Sequence, residues 1–219
     1  MDAIECIMSR RSIRKFLPEP VPEETLRSVI ETAKWSPSYK NSQPWEVVLV
    51  SGKKKEELSS LLIGLLGQGK PPAPDLPEPG GWPPEIEKKI SEHMRMRCEA
   101  LGIDLTDPET GRRAKVANFK FYGAPHGIFL FQDASLSLWS LLDMGMFAQS
   151  LMLSACAHGL GTVPQGFLTD YSAEVKKFLG IPETKRLILG VSIGYPDLKD
   201  RANSYRSRRQ ALGDILRPA

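Results

Sequence analysis

Between Pro71 and Pro84 the chain carries seven prolines, with glycines at 64, 67, 69, 80 and 81 close by. Proline fixes φ, lacks an amide donor and clashes with the preceding turn, so residues 64–84 are predicted to form neither regular helix nor central strand. This irregular stretch interrupts an otherwise regular succession of helices and apolar strands.

Before it, Asp2 is placed to cap a short helix over 2–9, with Ile4, Ile7 and Met8 on one face. Pro22 suits the first turn of a second helix, in which Leu26, Val29, Ile30 and Ala33 recur at helical spacing and which Pro37 stops. Residues 46–50 are β-rich and nearly all apolar, which predicts a central strand covered on both faces. A helix over 53–66 buries Leu58, Leu61, Leu62 and Leu65. After the interruption the pattern predicts helices over 85–101 and 108–121, then a buried strand over 127–131. A long apolar helix over 136–158 ends at Gly159, and a turn spans 161–167. A short helix near 173–178 and a last strand over 186–193 lead to a polar tail with Arg201, Arg206, Arg208 and Arg209. Helices mixed with a few strands make the chain α/β or α+β.

Composition bounds the function classes. With 41% hydrophobic and 25% charged residues the chain reads as an ordinary soluble protein. A net charge of +3 is too small to imply nucleic acid. Cys6, Cys98 and Cys156 form no CxxC pair, and His93, His126 and His158 lack zinc spacing, so no metal is expected. The 136–157 stretch contains Asp143, which argues for a core helix rather than a membrane span. The N-terminus is amphipathic and acidic, unlike a secretion leader, so the expected compartment is the cytoplasm. No GxGxxG, GxxxxGK[ST] or GxSxG motif is present.

Two polar segments stand out. Arg10-Arg11-Ser12-Ile13-Arg14 gathers charge-assisted donors suited to a dianionic phosphate. In an extended segment Arg10, Ser12 and Arg14 point the same way; the same cluster also suits a solvated basic turn after a helix. Pro37 and Pro44 stiffen a loop in which Ser38, Asn41, Ser42 and Gln43 offer the mixed hydrogen bonding that a heteroaromatic edge needs. Trp45 reads as core. Gly166, beside Gln165, suits either an ordinary turn or a place where backbone N–H groups approach a ligand. The basic tail, Arg206 to Arg209, gains meaning only if the chain ends meet.

Taken together, these segments resemble the nitroreductase family. The matching stretches are RRSIRKF at 10–16, SPS at 36–38 with NSQPW at 41–45, VPQGF at 163–167, GYPD at 194–197 and NSYRSRR at 203–209. The stretch NFKFYGAP at 118–125 is most similar to the branch containing nitrobenzoate reductases. The resemblance implies one α+β domain over 1–219 with a central mixed sheet flanked by helices. It implies an intertwined homodimer, a Pro/Gly-rich loop at about 64–84 and a tail at about 197–219. It implies bound FMN, NAD(P)H as a transient electron donor and a small aromatic substrate, with no nucleic-acid or membrane partner.

The implied cofactor residues are Arg10, Arg11 and Ser12 for the phosphate and ribityl chain, and Arg14 for the pyrimidine edge. Pro37, Ser38 and Asn41 would come from the partner subunit. The Gln165 and Gly166 backbone would lie near flavin N5, and Arg209 and Arg206 would close the phosphate site. No catalytic side chain or metal is implied, because the flavin does the chemistry and the protein binds, orients and tunes it. The expected reaction is reduction of nitroaromatic or quinone acceptors by alternating occupancy of one site. Phe119, Phe121, Tyr122 and Phe167 are candidates to stack on a flat substrate. A flavin reductase of the same fold and a non-catalytic anion-binding protein are the alternatives.

Overall fold

A computed structural model describes residues 2–217. Among the described residues, eight α-helices surround one four-stranded sheet: α1 (Ala3–Ser9), α2 (Glu23–Ala33), β1 (Glu46–Ser51), α3 (Gly52–Gly67), α4 (Pro84–Leu101), α5 (Thr110–Phe119), β2 (His126–Asp133), α6 (Ser140–Ala157), β3 (Gly161–Gln165), α7 (Ser172–Leu179), β4 (Lys185–Gly194) and α8 (Leu212–Ile215). The strand order is β1-β2-β4-β3. All three ladders are antiparallel. The parallel component of the expected mixed sheet is confined to isolated bridges, of which Ser12–Thr162 joins the N-terminal segment to β3.

β2 explains why its sequence is apolar throughout. Successive side chains on a strand face opposite sides. Ile128 and Leu130 enter a core with α2 and α6, while Phe129 and Phe131 enter a second core with α3, α5 and α7. All four are fully buried. Each contributes about 1.5–3 kcal/mol by burial. β1, expected to be central, is instead an edge strand; among its residues only Val50 is buried. Its apolar run marks contact with both cores at partial depth, which sequence alone does not separate from full burial.

Three other expectations shift. Residues 161–165 form strand β3 rather than a turn, and a 3-10 turn follows over Gly166–Thr169. Pro164 is tolerated there because β3 is the opposite edge, where a missing N–H leaves no ladder unpaired. The helix expected at 108–121 stops at Phe119, because Phe121 and Tyr122 adopt left-handed φ of 54° and 53°. α6 starts at Ser140 rather than 136, after the 3-10-like turns of 137–139. α6 is long and apolar enough to cross a membrane, yet half of that span is buried inside the protein.

The proline-rich stretch is tied down. α3 runs through Gly67, so the irregular chain begins at 68. Ala73 N–H donates to Asp170 O at 2.6 Å, and Asp75 accepts from the Leu187 amide at 2.7 Å and from the buried Lys176 ammonium at 3.2 Å. This clamp fixes where the chain turns toward α4.

Candidate active site

The segment after α1 is held extended along β3. Ile13 N–H donates to Thr162 O at 3.0 Å, and Asp197 N–H donates to Lys15 O at 3.1 Å. Ile13 is buried against Gly161, where a Cβ would sit 2.7 Å from the Ile13 side chain; glycine permits this approach. With Ile13 facing the core, Arg10, Ser12 and Arg14 line the opposite side, as their alternation predicts.

That side opens on two adjoining cavities. The smaller, about 130 Å³, is lined by Arg10, Arg11, Ser12, Arg14, Arg97, Ser207 and Arg209. The larger, about 830 Å³, is lined by Arg14, Arg97, Tyr122, Gln165, Gly166 and Phe167, among others. Arg14, His93 and Arg97 belong to both walls, so the two spaces form one cleft with a narrow cationic end.

The electrostatics of the narrow end are unbalanced. Arg10 Nε and Arg97 Nε are buried without a hydrogen-bond partner. Burial first, and then the Arg209 charge, lower the Arg10 pKa; burial and then the Arg97 charge lower that of Arg14. Buried charges are ordinarily paired or hydrogen-bonded. A cluster of guanidiniums without carboxylates among them is built to receive an anion, and Arg suits phosphate bidentately.

The wide end has a polar wall. Ser192 Oγ donates to Gln165 Oε1, and Gln165 Nε2 donates to Asn118 O at 3.0 Å and Oδ1 at 3.1 Å. Asn118 Nδ2 donates to Ala114 O and to Tyr122 Oη, both at 2.9 Å. The Ala114 carbonyl can only accept, which fixes the orientation of the Asn118 amide and hence of Gln165. The Gln165 side chain is therefore locked into the interior, and its backbone, with Gly166, borders the cleft. A Cβ on Gly166 would meet nothing within 4 Å. Opposite in character, Phe167 presents its ring beneath Lys115 Nζ at 5.0 Å, and Lys115 is paired with buried Asp170 at 2.9 Å.

The structure brings together Arg10, Arg11, Ser12, Arg14, Gln165, Gly166 and Arg209. Arg206 does not line the narrow cavity: its guanidinium donates to Met8 O at the end of α1 and lines an adjoining cavity of about 480 Å³ whose wall also includes Arg10 and Arg11. Pro37, Ser38 and Asn41 line neither part of the cleft. Their loop instead sits on α6, where buried Asp143 accepts from Tyr39 N–H at 3.1 Å. Lys40, Asn41 and Gln43 are held there at φ of 51°, 58° and 46°. Of the aromatic candidates, Phe119 and Phe121 are wholly buried and cannot stack on a substrate, while Tyr122 and Phe167 border the cleft. Trp45 stacks on Phe147 with ring centroids 4.9 Å apart, as core.

Sequence reasoning missed Arg97 and Asn203. Arg97 stands one turn after His93 on α4, a spacing visible in the sequence, but which face of α4 meets the cleft is not. Asn203 is buried in the tail; its Oδ1 accepts Arg14 N–H and its Nδ2 donates to Lys15 O and Asp197 O, both at 2.8 Å.

An antiparallel α+β sheet whose N-terminal arginines meet its tail across a phosphate-sized cavity is an architecture for holding a phosphorylated ligand. The chain belongs to the nitroreductase family, whose family model matches residues 7–195. Nitroreductase NfnB of Mycolicibacterium smegmatis is 36% identical over 214 residues, covering 96% of this chain and 90% of the relative. A 4-nitrobenzoate reductase of Pseudomonas putida is 33% identical, covering 93% and 89%. The crystal structure of the FMN-dependent nitroreductase NfnB from Mycobacterium smegmatis in complex with NADPH superposes with a TM-score of 0.94 at 33% identity, over 99% of this chain and 97% of that one.

Proposed function

We propose that this protein is an FMN-dependent oxidoreductase that uses NAD(P)H to reduce small nitroaromatic acceptors, acting as a cytoplasmic homodimer. The observation that carries this reading is the narrow end of the cleft, where Arg10 Nε and Arg97 Nε are buried without partners beside Arg14 and Arg209. A phosphate monoester supplies the acceptor that Arg10 Nε lacks, and a ring carbonyl the one that Arg97 Nε lacks. The residues present fit FMN: Arg10, Arg11, Ser12 and Arg209 would hold the phosphate, and Arg14 and Arg97 the polar edge of the ring. The open space in front of the Gly166 backbone would admit the flat ring system. When bound, FMN supplies the hydride chemistry.

The chain's own residues then bind, orient and exclude water. Phe167 and Tyr122 border the ring site, and the cationic wall favours the negative charge that builds up on reduction. Pro37, Ser38 and Asn41 complete the site from the partner subunit. The support is their place on an exposed surface with Trp139 69%, Leu138 74% and Leu142 58% exposed. Donor and acceptor visit the same face in turn, and quinones are alternative acceptors. Donor and acceptor alternating at one face give parallel double-reciprocal plots.

The test is direct. Purified protein is expected to be yellow, or to become so with FMN, and to oxidise NADPH with 4-nitrobenzoate. A colourless protein that cannot be loaded with FMN removes the flavin reading. FMN-loaded protein that reduces free flavin but no nitro compound shifts the assignment to a flavin reductase.

A further inference from the structure

Tyr122 stands in the cleft wall at the end of the buried amide chain, in the same wall as Arg14. Its hydroxyl oxygen accepts from Asn118 Nδ2 at 2.9 Å, and its side chain shares the wall of the wide cavity with Arg14. An amide NH2 is a donor only, so this contact uses an oxygen lone pair. The hydroxyl hydrogen is left to point elsewhere, and the side chain borders the wide end of the cleft.

The backbone holds the residue there under strain. Phe121 and Tyr122 occupy consecutive left-handed positions, at φ of 54° and 53°. For aromatic residues this costs on the order of 1–3 kcal/mol each. The conformation is held because the Phe121 ring is driven into the core over Gly127, where a Cβ would sit 2.5 Å from that ring. With Phe121 turned in, Tyr122 turns out. Its orientation is further fixed through Asn118 to Gln165 and Ser192 in the sheet.

We propose that Tyr122 donates a hydrogen bond from its hydroxyl to a carbonyl oxygen on the polar edge of the bound FMN ring, raising the cofactor's reduction potential. This rests on the FMN reading above. The benzenoid edge of that ring has no acceptor, whereas the pyrimidine edge has two carbonyls, so a wall of donors selects the pyrimidine edge. A hydrogen bond to that edge favours the reduced form, which carries more negative charge there.

The experiment is spectroelectrochemical titration of the FMN-loaded wild type, Tyr122→Phe, Asn118→Ala and Arg209→Ala. Tyr122→Phe is expected to retain FMN with a potential lowered by about 30 mV, equivalent to a roughly tenfold loss for a two-electron couple. Asn118→Ala keeps the hydroxyl but frees its direction, and is expected to give a smaller fall. Arg209→Ala is expected to weaken FMN affinity with the potential unmoved. A Tyr122→Phe potential equal to wild type overturns the proposal, and if that variant does not fold, an unmoved Asn118→Ala potential does so. Wild-type protein that takes up no FMN overturns the functional reading as well, so the two failures are distinguishable.

Discussion

Asn203 Oδ1 accepts the Arg14 amide hydrogen at 2.7 Å, and its Nδ2 returns hydrogen bonds to the carbonyls of Lys15 and Asp197. One buried amide thus fastens the tail to the N-terminal arginine segment, and Arg209 reaches the narrow cavity from this anchor. Asn203→Leu leaves the Arg14 amide without a partner, at a cost of about 1–3 kcal/mol, and removes one of two hydrogen bonds at each of the Lys15 and Asp197 carbonyls. The expected outcome is a loss of at least about 2 kcal/mol in urea unfolding, accompanied by weaker FMN binding. Normal FMN affinity in the destabilised variant would separate the anchor from the site.

Arg10 sits half-buried with its charge opposed by Arg209. Arg10→Ala removes a charged hydrogen bond to the proposed phosphate and is expected to weaken FMN binding by about 2 kcal/mol, or roughly thirtyfold. Riboflavin, which lacks the phosphate, should bind the variant and the wild type equally. Fluorescence titration of apoprotein with both flavins checks this.

His126 gives the protein a pH dependence. Val21 N–H donates to Nε2 at 2.9 Å, so Nδ1 carries the hydrogen and donates to Ser51 Oγ. Burial first, and then the Lys55 charge, lower the pKa of the imidazole in the fold. As pH falls, the unfolded chain takes up this proton first. The contribution is complete above the unfolded value of about 6.5 and is lost as pH falls from there through the folded value. Urea midpoints should therefore drop below about pH 6.5, and His126→Gln should flatten that drop. An identical pH slope in the variant would assign the effect to other groups.

The Asp75 carboxylate clamps the proline-rich stretch to β4 and to Lys176, which is 4% exposed. Asp75→Ala leaves Lys176 with only the exposed Glu183 and the Lys185 carbonyl, and strands the Leu187 amide. A loss of about 3 kcal/mol is expected. Hydrogen exchange should rise over 70–83 if the clamp is what holds it.

Trp139, Leu138 and Leu142 form an exposed apolar surface beside Tyr39, whose ring stacks on Trp139 with centroids 6.5 Å apart. Leu142→Asp is expected to convert the proposed dimer to monomer in sedimentation and to release FMN. A variant that remains dimeric would move the interface elsewhere.

The residues differ in how far sequence reached them. Arg10, Ser12 and Arg14 were legible because alternation in an extended chain is a local property, and Ile13 between them is apolar. The helices were legible for the same reason: α2 shows its buried Leu26, Val29 and Ala33 at helical spacing. β1 has the sequence of a central strand because an edge strand touching two cores carries the same apolar run. β3 has the local sequence of a turn because Gly161 and Pro164 are turn residues, while the parallel bridge to Ser12 and the ladder to β4 are long-range. Nothing in the neighbourhood of Arg97 distinguishes a cleft-facing position, and nothing around Asn203 shows that its amide is buried against residues 14–15.

Sequence alone carries the helices, three of the four strands, the apolar layers and a phosphate-seeking arginine segment, since each depends on neighbours within a few residues. Tertiary structure decided which strand is central, that Arg206 turns to Met8 while Arg209 faces Arg10, and that Gln165 is a strut inside the core. Those choices depend on chain closure. Only when the tail lies along residues 14–15 do like charges from both ends converge, and only then does their mutual repulsion define a place for an anion.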